Sequence, residues 1–282
     1  MLIIQITDTH IVMPNNKAYG IADTAENLIA CINSINSLEP KADVVLVTGD
    51  ISNNAKYQEL AHAKSILDKL NAPYFVIPGN HDNREDMRTI YGDFSCPVAK
   101  ENNFINYVID QYDVRFIALD STIPGKPGAE ICSERANWLD QQLAKQPNKP
   151  TIIFMHHPPV KCGVLETDKD GFIGADLLGD VIEKYSSVKA ILCGHIHLQA
   201  HINWRNTVVS IAPSTQMRLM LDLTLQKESQ FYLDNPAFQL HYWTEEQNLI
   251  SYPILVRDTD KSYLFESESV RSMWIAGRKI LV

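Results

Sequence analysis

Long apolar runs, paired cysteines, basic surface and internal repeats are all scarce or missing in this chain of 282 residues. No apolar run approaches the ~20 residues that a membrane-spanning helix needs, so no membrane partner is expected. The opening MLIIQITDTH has no basic stretch, no long apolar core and no small-residue cleavage site, and it reads as a first strand rather than a leader. The five cysteines (Cys31, Cys96, Cys132, Cys162 and Cys193) are scattered and free of any Cys-x-x-Cys spacing. That excludes a disulfide framework and predicts reduced thiols in a cytoplasmic protein. Only Cys193, beside Gly194-His195, has a metal-ligand reading next to its core reading. Lys and Arg number 25 against 34 Asp and Glu, for a net charge of −9. Such a surface repels polyanions, so no nucleic acid is expected as partner, although a small anion can still be held at a local positive centre.

What is present is a rhythm of strands and helices. Five short runs rich in Ile, Val and Phe read as buried strands: LIIQIT (2–7), DVVLVT (43–48), YFVIP (74–78), TIIFM (151–155) and KAILC (189–193). Between them, helical patterns run from Asp23-Thr24 to about Leu38, from Lys56 to Leu70, onward from Ser133-Glu134, and from Gly174 to Tyr185. Such alternation predicts parallel strands with crossover helices. Three pairs break it and read as antiparallel: FINYVID with VRFIALD (104–110 and 114–120), the hairpin HINWRNTVVSIAP (201–213), and AFQLHYW with LISYPILV (237–243 and 249–256). Mixed sheets with helices outside make a layered α/β sandwich.

Each buried run ends in a polar cluster: Asp8-Thr9-His10, Gly49-Asp50, Gly79-Asn80-His81-Asp82, His156-His157 and Gly194-His195-Ile196-His197. In open α/β folds, ligands bind outside the carboxyl ends of parallel strands. The five clusters are therefore expected to meet in space. Taken singly, each Asp is most simply a turn or helix cap and each His a backbone partner. Five such coincidences at one topological position point instead to a site. Asp8 and His10 are spaced i, i+2, as are His195 and His197, which on extended backbone aims both side chains the same way. Imidazole, carboxylate and amide together suit Mn²⁺, Fe²⁺ or Zn²⁺, whereas calcium or magnesium favours oxygen alone. Asp8, His10, Asp50, Asn80, His156, His195 and His197 make seven ligands. With Asp50 bridging, two divalent metal ions would each have four protein ligands and positions left for water.

In order along the chain, Asp-x-His, Gly-Asp, Gly-Asn-His-Asp, His and Gly-His-x-His resemble the signature of the calcineurin-like metallophosphoesterases, over roughly Met1 to Pro213. The resemblance implies a four-layer α/β/β/α sandwich. It implies that Asp8, His10, Asp50 and His197 hold one metal, and Asp50, Asn80, His156 and His195 the other. It also places His81 at the substrate rather than on a metal. A hydroxide bridging the two metals would then attack phosphorus in line, with His81 as general acid to the departing alkoxide. Asp82 has two readings: it holds the His81 ring and fixes its tautomer, or it caps the helix of the Asn83-to-Met87 segment.

Asp50 is followed by Ile51-Ser52-Asn53-Asn54, unlike the Ser/Thr protein phosphatase branch with its Asp-Arg-Gly. The strings VIPGNHD, FMHHPP, ILCGHIH and SIAPST instead resemble bacterial class III cyclic-nucleotide phosphodiesterases and the related glycerophosphodiesterases. They imply hydrolysis of a small phosphodiester, with 3′,5′-cyclic AMP favoured and glycerophosphodiesters the alternative; a phosphomonoesterase or a non-catalytic scaffold stands further off. Tyr19, Asn53, His157, His201 and Met217 lie near motifs without an assigned role. The catalytic domain is expected over residues 1–218. Residues 219–282 are expected to complete a sheet and to form a lid or an oligomer contact, with Trp243 and Tyr252 in the core and Trp274 in the core or at a contact. A homo-oligomer is expected.

Overall fold

The computed structural model describes residues 1–98, 103–256 and 264, so Trp274 lies outside the described residues. Parallel strands need crossover connections, and amphipathic helices supply them. Strand β1 (Leu2–Ile6) passes through helix α1 (Thr24–Ser37) to β2 (Val44–Val47), and β2 passes through α2 (Tyr57–Leu67) to β3 (Tyr74–Val76). Helix α3 (Arg84–Ser95) then leads to the antiparallel pair β4 (Tyr107–Ile109) and β5 (Arg115–Ala118). Next come β6 (Thr122–Ile123), β7 (Lys126–Glu130), α4 (Ser133–Lys145), β8 (Thr151–Phe154), α5 (Leu165–Asp168), β9 (Phe172–Ile173), α6 (Ala175–Ile182) and β10 (Val188–Cys193). Three antiparallel pairs follow: β11 (Ala200–Trp204) with β12 (Thr207–Ile211), β13 (Met217–Leu219) with β14 (Phe231–Leu233), and β15 (Ala237–Trp243) with β16 (Leu249–Leu255).

The strands build two large sheets, ordered β16-β15-β1-β2-β3 and β11-β12-β10-β8-β5-β4. Both are mixed: β1-β2-β3 run parallel at one end of the first and β12-β10-β8-β5 through the centre of the second, and the three antiparallel pairs expected from the sequence all form. The pleat shows how the layers stack. Phe116, Ala118, Ile152, Phe154, Ala190 and Leu192 of the second sheet join β1–β3 and helices α1–α3 in one apolar cluster. Their alternate neighbours Ile117, Leu119, Ile153, Met155, Ile191 and Cys193 join α4 and α6 in another. With side chains alternating between faces, each sheet has the other sheet on one side and helices on the other, the four-layer α/β/β/α sandwich.

The expected helices form, with ends a few residues shorter. Helix α3 is harder to read, because among its described side chains REDMRTIYGDFS buries Met87, Tyr91 and Ser95 and it breaks at Gly92 (φ 51°). Its cap is Asn83, whose side chain accepts from the amides of Glu85 and Asp86. Asp82 therefore does not cap it. Trp243 is buried as expected, but Tyr252 is not: on β16, the outermost strand of its sheet among the described residues, it is 51% exposed. Among the described residues, no helix is long and apolar enough to cross a membrane.

Phe154 is fully buried between the sheets, with Tyr107 packed edge-on at 6.0 Å. Phe154→Ala is expected to lower unfolding free energy by about 3–5 kcal/mol, measured by urea denaturation of the metal-free protein; a loss under 1 kcal/mol would contradict this packing.

Candidate metal centre

The five polar clusters lie just beyond the ends of β1, β2, β3, β8 and β10, and backbone bonds lace their loops together. The amide of Asp8 donates to the carbonyl of Gly49 (3.0 Å), that of His10 to Asp50 (2.9 Å), and that of Gly194 to His156 (2.9 Å). The turns are sharp. Asp8 (φ 52°), His10 (42°), Asp50 (49°), His195 (74°) and His197 (58°) all occupy the left-handed region. The i, i+2 pairs thus converge through left-handed turns and not, as the spacing suggests, through extended backbone. Non-glycine residues pay of order 1–3 kcal/mol for such strain, which persists where surrounding structure holds it. Gly194 serves a different need: a Cβ there would collide with Thr7 Oγ1 and lie 2.6 Å from Asp8 Oδ2.

The side chains meet at one rim. His10 Nε2 stands 3.1 Å from His197 Nε2, and His197 Nε2 stands 3.4 Å from Asp8 Oδ1. Asp50 Oδ2 lies 3.3 Å from His156 Nε2 and 3.7 Å from His10 Nε2, so one oxygen faces both groups of ligands. Separations of this size are what bonds of about 2.1 Å to a shared cation produce. Donor atoms of Asp8, His10 and His197, of Asp8, Asp50 and His156, and of His156, His157 and His195 fall into compact groups. Asn80 Oδ1 is buried with no hydrogen-bond partner, and His156 Nε2 faces only carboxylate oxygen, while His156 Nδ1 is held by the Thr48 carbonyl at 2.8 Å. Donors of these kinds, converging between two carboxylates, fit divalent cations.

The electrostatics agree. Burial would push the Asp8 and Asp50 carboxyls up, but neighbouring histidines overcome it: His197 and His156 hold Asp8 below its usual value, and His156 and His81 hold Asp50 well below. Burial pushes His10 down to about 3, against the pull of Asp50, and pushes His195 well below its usual value. Both imidazoles are thus neutral, with lone pairs available. His156 goes the other way: burial lowers it, but Asp50 and Asp8 carry it to about 9. A field that holds a proton there would hold a cation better.

All seven expected ligands line or adjoin this rim. His81 joins them without the same freedom, because its Nδ1 lies 2.7 Å from the Asn53 carbonyl. Asp82 does not hold the His81 ring, contrary to the first reading of the sequence. Its oxygens accept from the amides of Gly79, Ile51 and Ser52 and from Ser52 Oγ, at 2.8–3.0 Å, so it braces the β2 and β3 loops against each other. Side-chain motifs gave no sign of the Asn53 carbonyl, since every residue carries one. Asp120, after β5, was likewise missed: fully buried, it takes Arg84 in a two-pronged ion pair at 2.6 and 3.0 Å and anchors the start of α3. His157 uses both ring nitrogens, at 2.8 Å to Ser121 Oγ and 3.1 Å to the Pro127 carbonyl, and has none left for a metal. Cys193 is a buried core thiol. Met217 is buried, His201 is exposed on β11, and Tyr19 leans over the rim, its ring 5.4 Å from that of Phe231.

A family model described as calcineurin-like phosphoesterase matches residues 1–199. The chain is a calcineurin-like phosphoesterase. As a hydrolase of this family it is implied to work with two divalent cations, and the rim offers ligands for two. The phosphoesterase is 38% identical over 269 residues, 95% of this chain and 98% of the other, to a protein of Arcobacter nitrofigilis named "Probable glycerophosphodiester phosphodiesterase GpdQ". It is 29% identical over 213 residues, 76% of this chain and 75% of the other, to the 3′,5′-cyclic adenosine monophosphate phosphodiesterase CpdA of Escherichia coli. Its fold is similar to that of a dimetal phosphatase from Danio rerio, with a TM-score of 0.64 at 12% identity over 91% of this chain and 99% of that one.

Gly194→Ala is expected to push the β10 loop off Asp8. Elemental analysis of the purified variant should then find less metal per chain than in the wild type, with phosphodiester hydrolysis down at least ~10-fold. Wild-type metal content would contradict the crowding described at Thr7.

Proposed function

We propose that this phosphoesterase is a metal-dependent phosphodiesterase of small diesters, with glycerophosphodiesters as its substrate class. In this reading Asp8, His10, Asp50 and His197 hold one cation, and Asp50, Asn80, His156 and His195 the other. The mixed nitrogen and oxygen donors favour Mn²⁺, Fe²⁺ or Zn²⁺. Bound there, the pair would lower the pKa of a water between them and draw charge from the phosphoryl oxygens. His81 is the general acid. The Asn53 carbonyl takes the Nδ1 proton, which leaves Nε2 to face the reacting centre, and the Asp50 carboxylate, against the effect of burial, raises its proton affinity. The protonated ring gives its Nε2 proton to the departing alkoxide.

The observation that carries the choice of substrate is the wall of the cleft. A cavity of about 230 Å³ at the rim is lined by His10, Asp50, Asn80, His81, His195 and His197 and by Tyr19, Pro127, Glu166, Thr167, Asp170 and Leu219. Glu166 and Asp170 bring carboxylates and Thr167 a hydroxyl beside the apolar Pro127 and Leu219. Two carboxylates suit a polyol or amino alcohol, whose hydroxyls and amine donate to them. The Arcobacter relative named for glycerophosphodiesters is 38% identical to this chain, against 29% for the CpdA relative. That reverses the preference drawn from the sequence strings, and cyclic AMP is the second reading, supported by that CpdA similarity. The hairpin β13–β14, with Phe231 against Tyr19, serves as a lid, and the enzyme works in the cytoplasm as a homo-oligomer.

On Mn²⁺-loaded enzyme, kcat/KM for glycerophosphoethanolamine should exceed that for cyclic AMP by at least ~10-fold, and the reverse order would favour the second reading. Enzyme stripped by chelation should be silent and should recover with Mn²⁺; a protein silent in both states would be a scaffold. His81→Asn should cut kcat on an alkyl diester by about 10²–10⁴. It should cost far less on bis(p-nitrophenyl) phosphate, whose leaving group needs no proton. Wild-type kcat on the alkyl diester should fall as pH rises past the His81 pKa, because the acid form is lost, and H81N should lack that limb.

A further inference from the structure

The C-terminal strands carry none of the seven ligands, yet a buried chain of hydrogen bonds leads from them to the rim. Gln5 on β1 is fully buried, and its Nε2 donates to Thr48 Oγ1 at 2.9 Å and to the Cys193 carbonyl at 2.8 Å. Those residues stand directly before Gly49-Asp50 and Gly194-His195. The Thr48 carbonyl also takes His156 Nδ1. One amide thus ties the loops after β2 and β10 to the strand before Asp8, and through Thr48 reaches the loop after β8.

The orientation of that amide is decided by logic of donors. The Cys193 carbonyl only accepts, so Gln5 must turn its NH₂ toward it and its Oε1 the other way. Oε1 faces His241 Nε2 on β15 at 3.1 Å, so that nitrogen carries the proton. His241 Nδ1 is then the acceptor, and it takes Ser251 Oγ of β16 at 2.7 Å. His241 is fully buried, and burial keeps it neutral, with its pKa pushed down to about 3. Every polar atom of the Gln5 and His241 side chains is satisfied in only this arrangement.

We infer that His241, set by Ser251, is a positioning residue for the metal centre, acting through Gln5 to hold the Asp50, His156 and His195 loops at their spacing. This gives the β15–β16 hairpin a part in metal binding although it touches no metal. The inference rests on the rim being a metal centre.

The test is Mn²⁺ titration calorimetry on metal-free protein, alongside the melting temperature of the same metal-free samples. His241→Phe keeps the bulk but removes the donor, and it should weaken Mn²⁺ binding by about 10–100-fold, the usual cost of removing a group that orients a ligand. His241→Gln, which restores an amide donor, should recover most of that loss. Ser251→Ala, milder and still able to fold if His241→Phe does not, should weaken binding by at least ~3-fold. Wild-type Mn²⁺ affinity in His241→Phe, or in Ser251→Ala should the former not fold, would overturn the inference, as would a drop in metal-free melting temperature with unchanged affinity. Wild-type protein that bound no Mn²⁺ would instead overturn the metal-centre reading itself.

Discussion

Two carboxylates, Asp8 and Asp50, lie almost wholly out of water within reach of the same histidine. Burying like charges together is costly unless something positive joins them. Much of the surrounding structure is arranged around that demand. Histidines from three further positions surround the pair, and the loops that carry them are short, laced by backbone bonds and held in left-handed turns. A flexible rim would let the carboxylates part and take water instead. The rigidity is therefore electrostatic in purpose and mechanical in means.

The sandwich supplies the means. Strands β1, β2, β8 and β10 are buried on both faces and pinned by their neighbours, so the residues beyond their ends start from fixed points. Asp82 and Asp120 extend that fixity into the loops. Asp82 spans the β2 and β3 turns, and Asp120 locks the first residue of α3 through Arg84. Neither lines the rim cavity as His81 does, yet both brace the loops that carry His81 and Asn80.

The fold and the meeting of the polar clusters at one rim were legible in the sequence because both are written in side chains. Period-two and period-3.6 apolar patterns mark the layers, and Asp, Asn and His at strand ends mark the rim. What escaped was written in the backbone or in tertiary contact. The Asn53 carbonyl that orients His81 has no residue signature. Asp82 looked like a partner of its neighbour in sequence, but its hydrogen-bonding needs are met across the gap to β2. Helix α3 hides because its buried side is a short face next to a glycine break. Tyr252 looked like core from its apolar run, and the strand order shows that β16 is outermost in its sheet among the described residues.

Strand β15 lies beside β1, bonded to it from Leu2↔Tyr242 to Gln5↔Gln239. During synthesis the first strand leaves the ribosome early, while its antiparallel neighbour follows more than two hundred residues later. Until then one flank of β1 has no partner, and the amide of Gln5 has no imidazole to turn it. The strand that leads into Asp8 is thus closed on that flank only by residues more than two hundred positions away in the sequence.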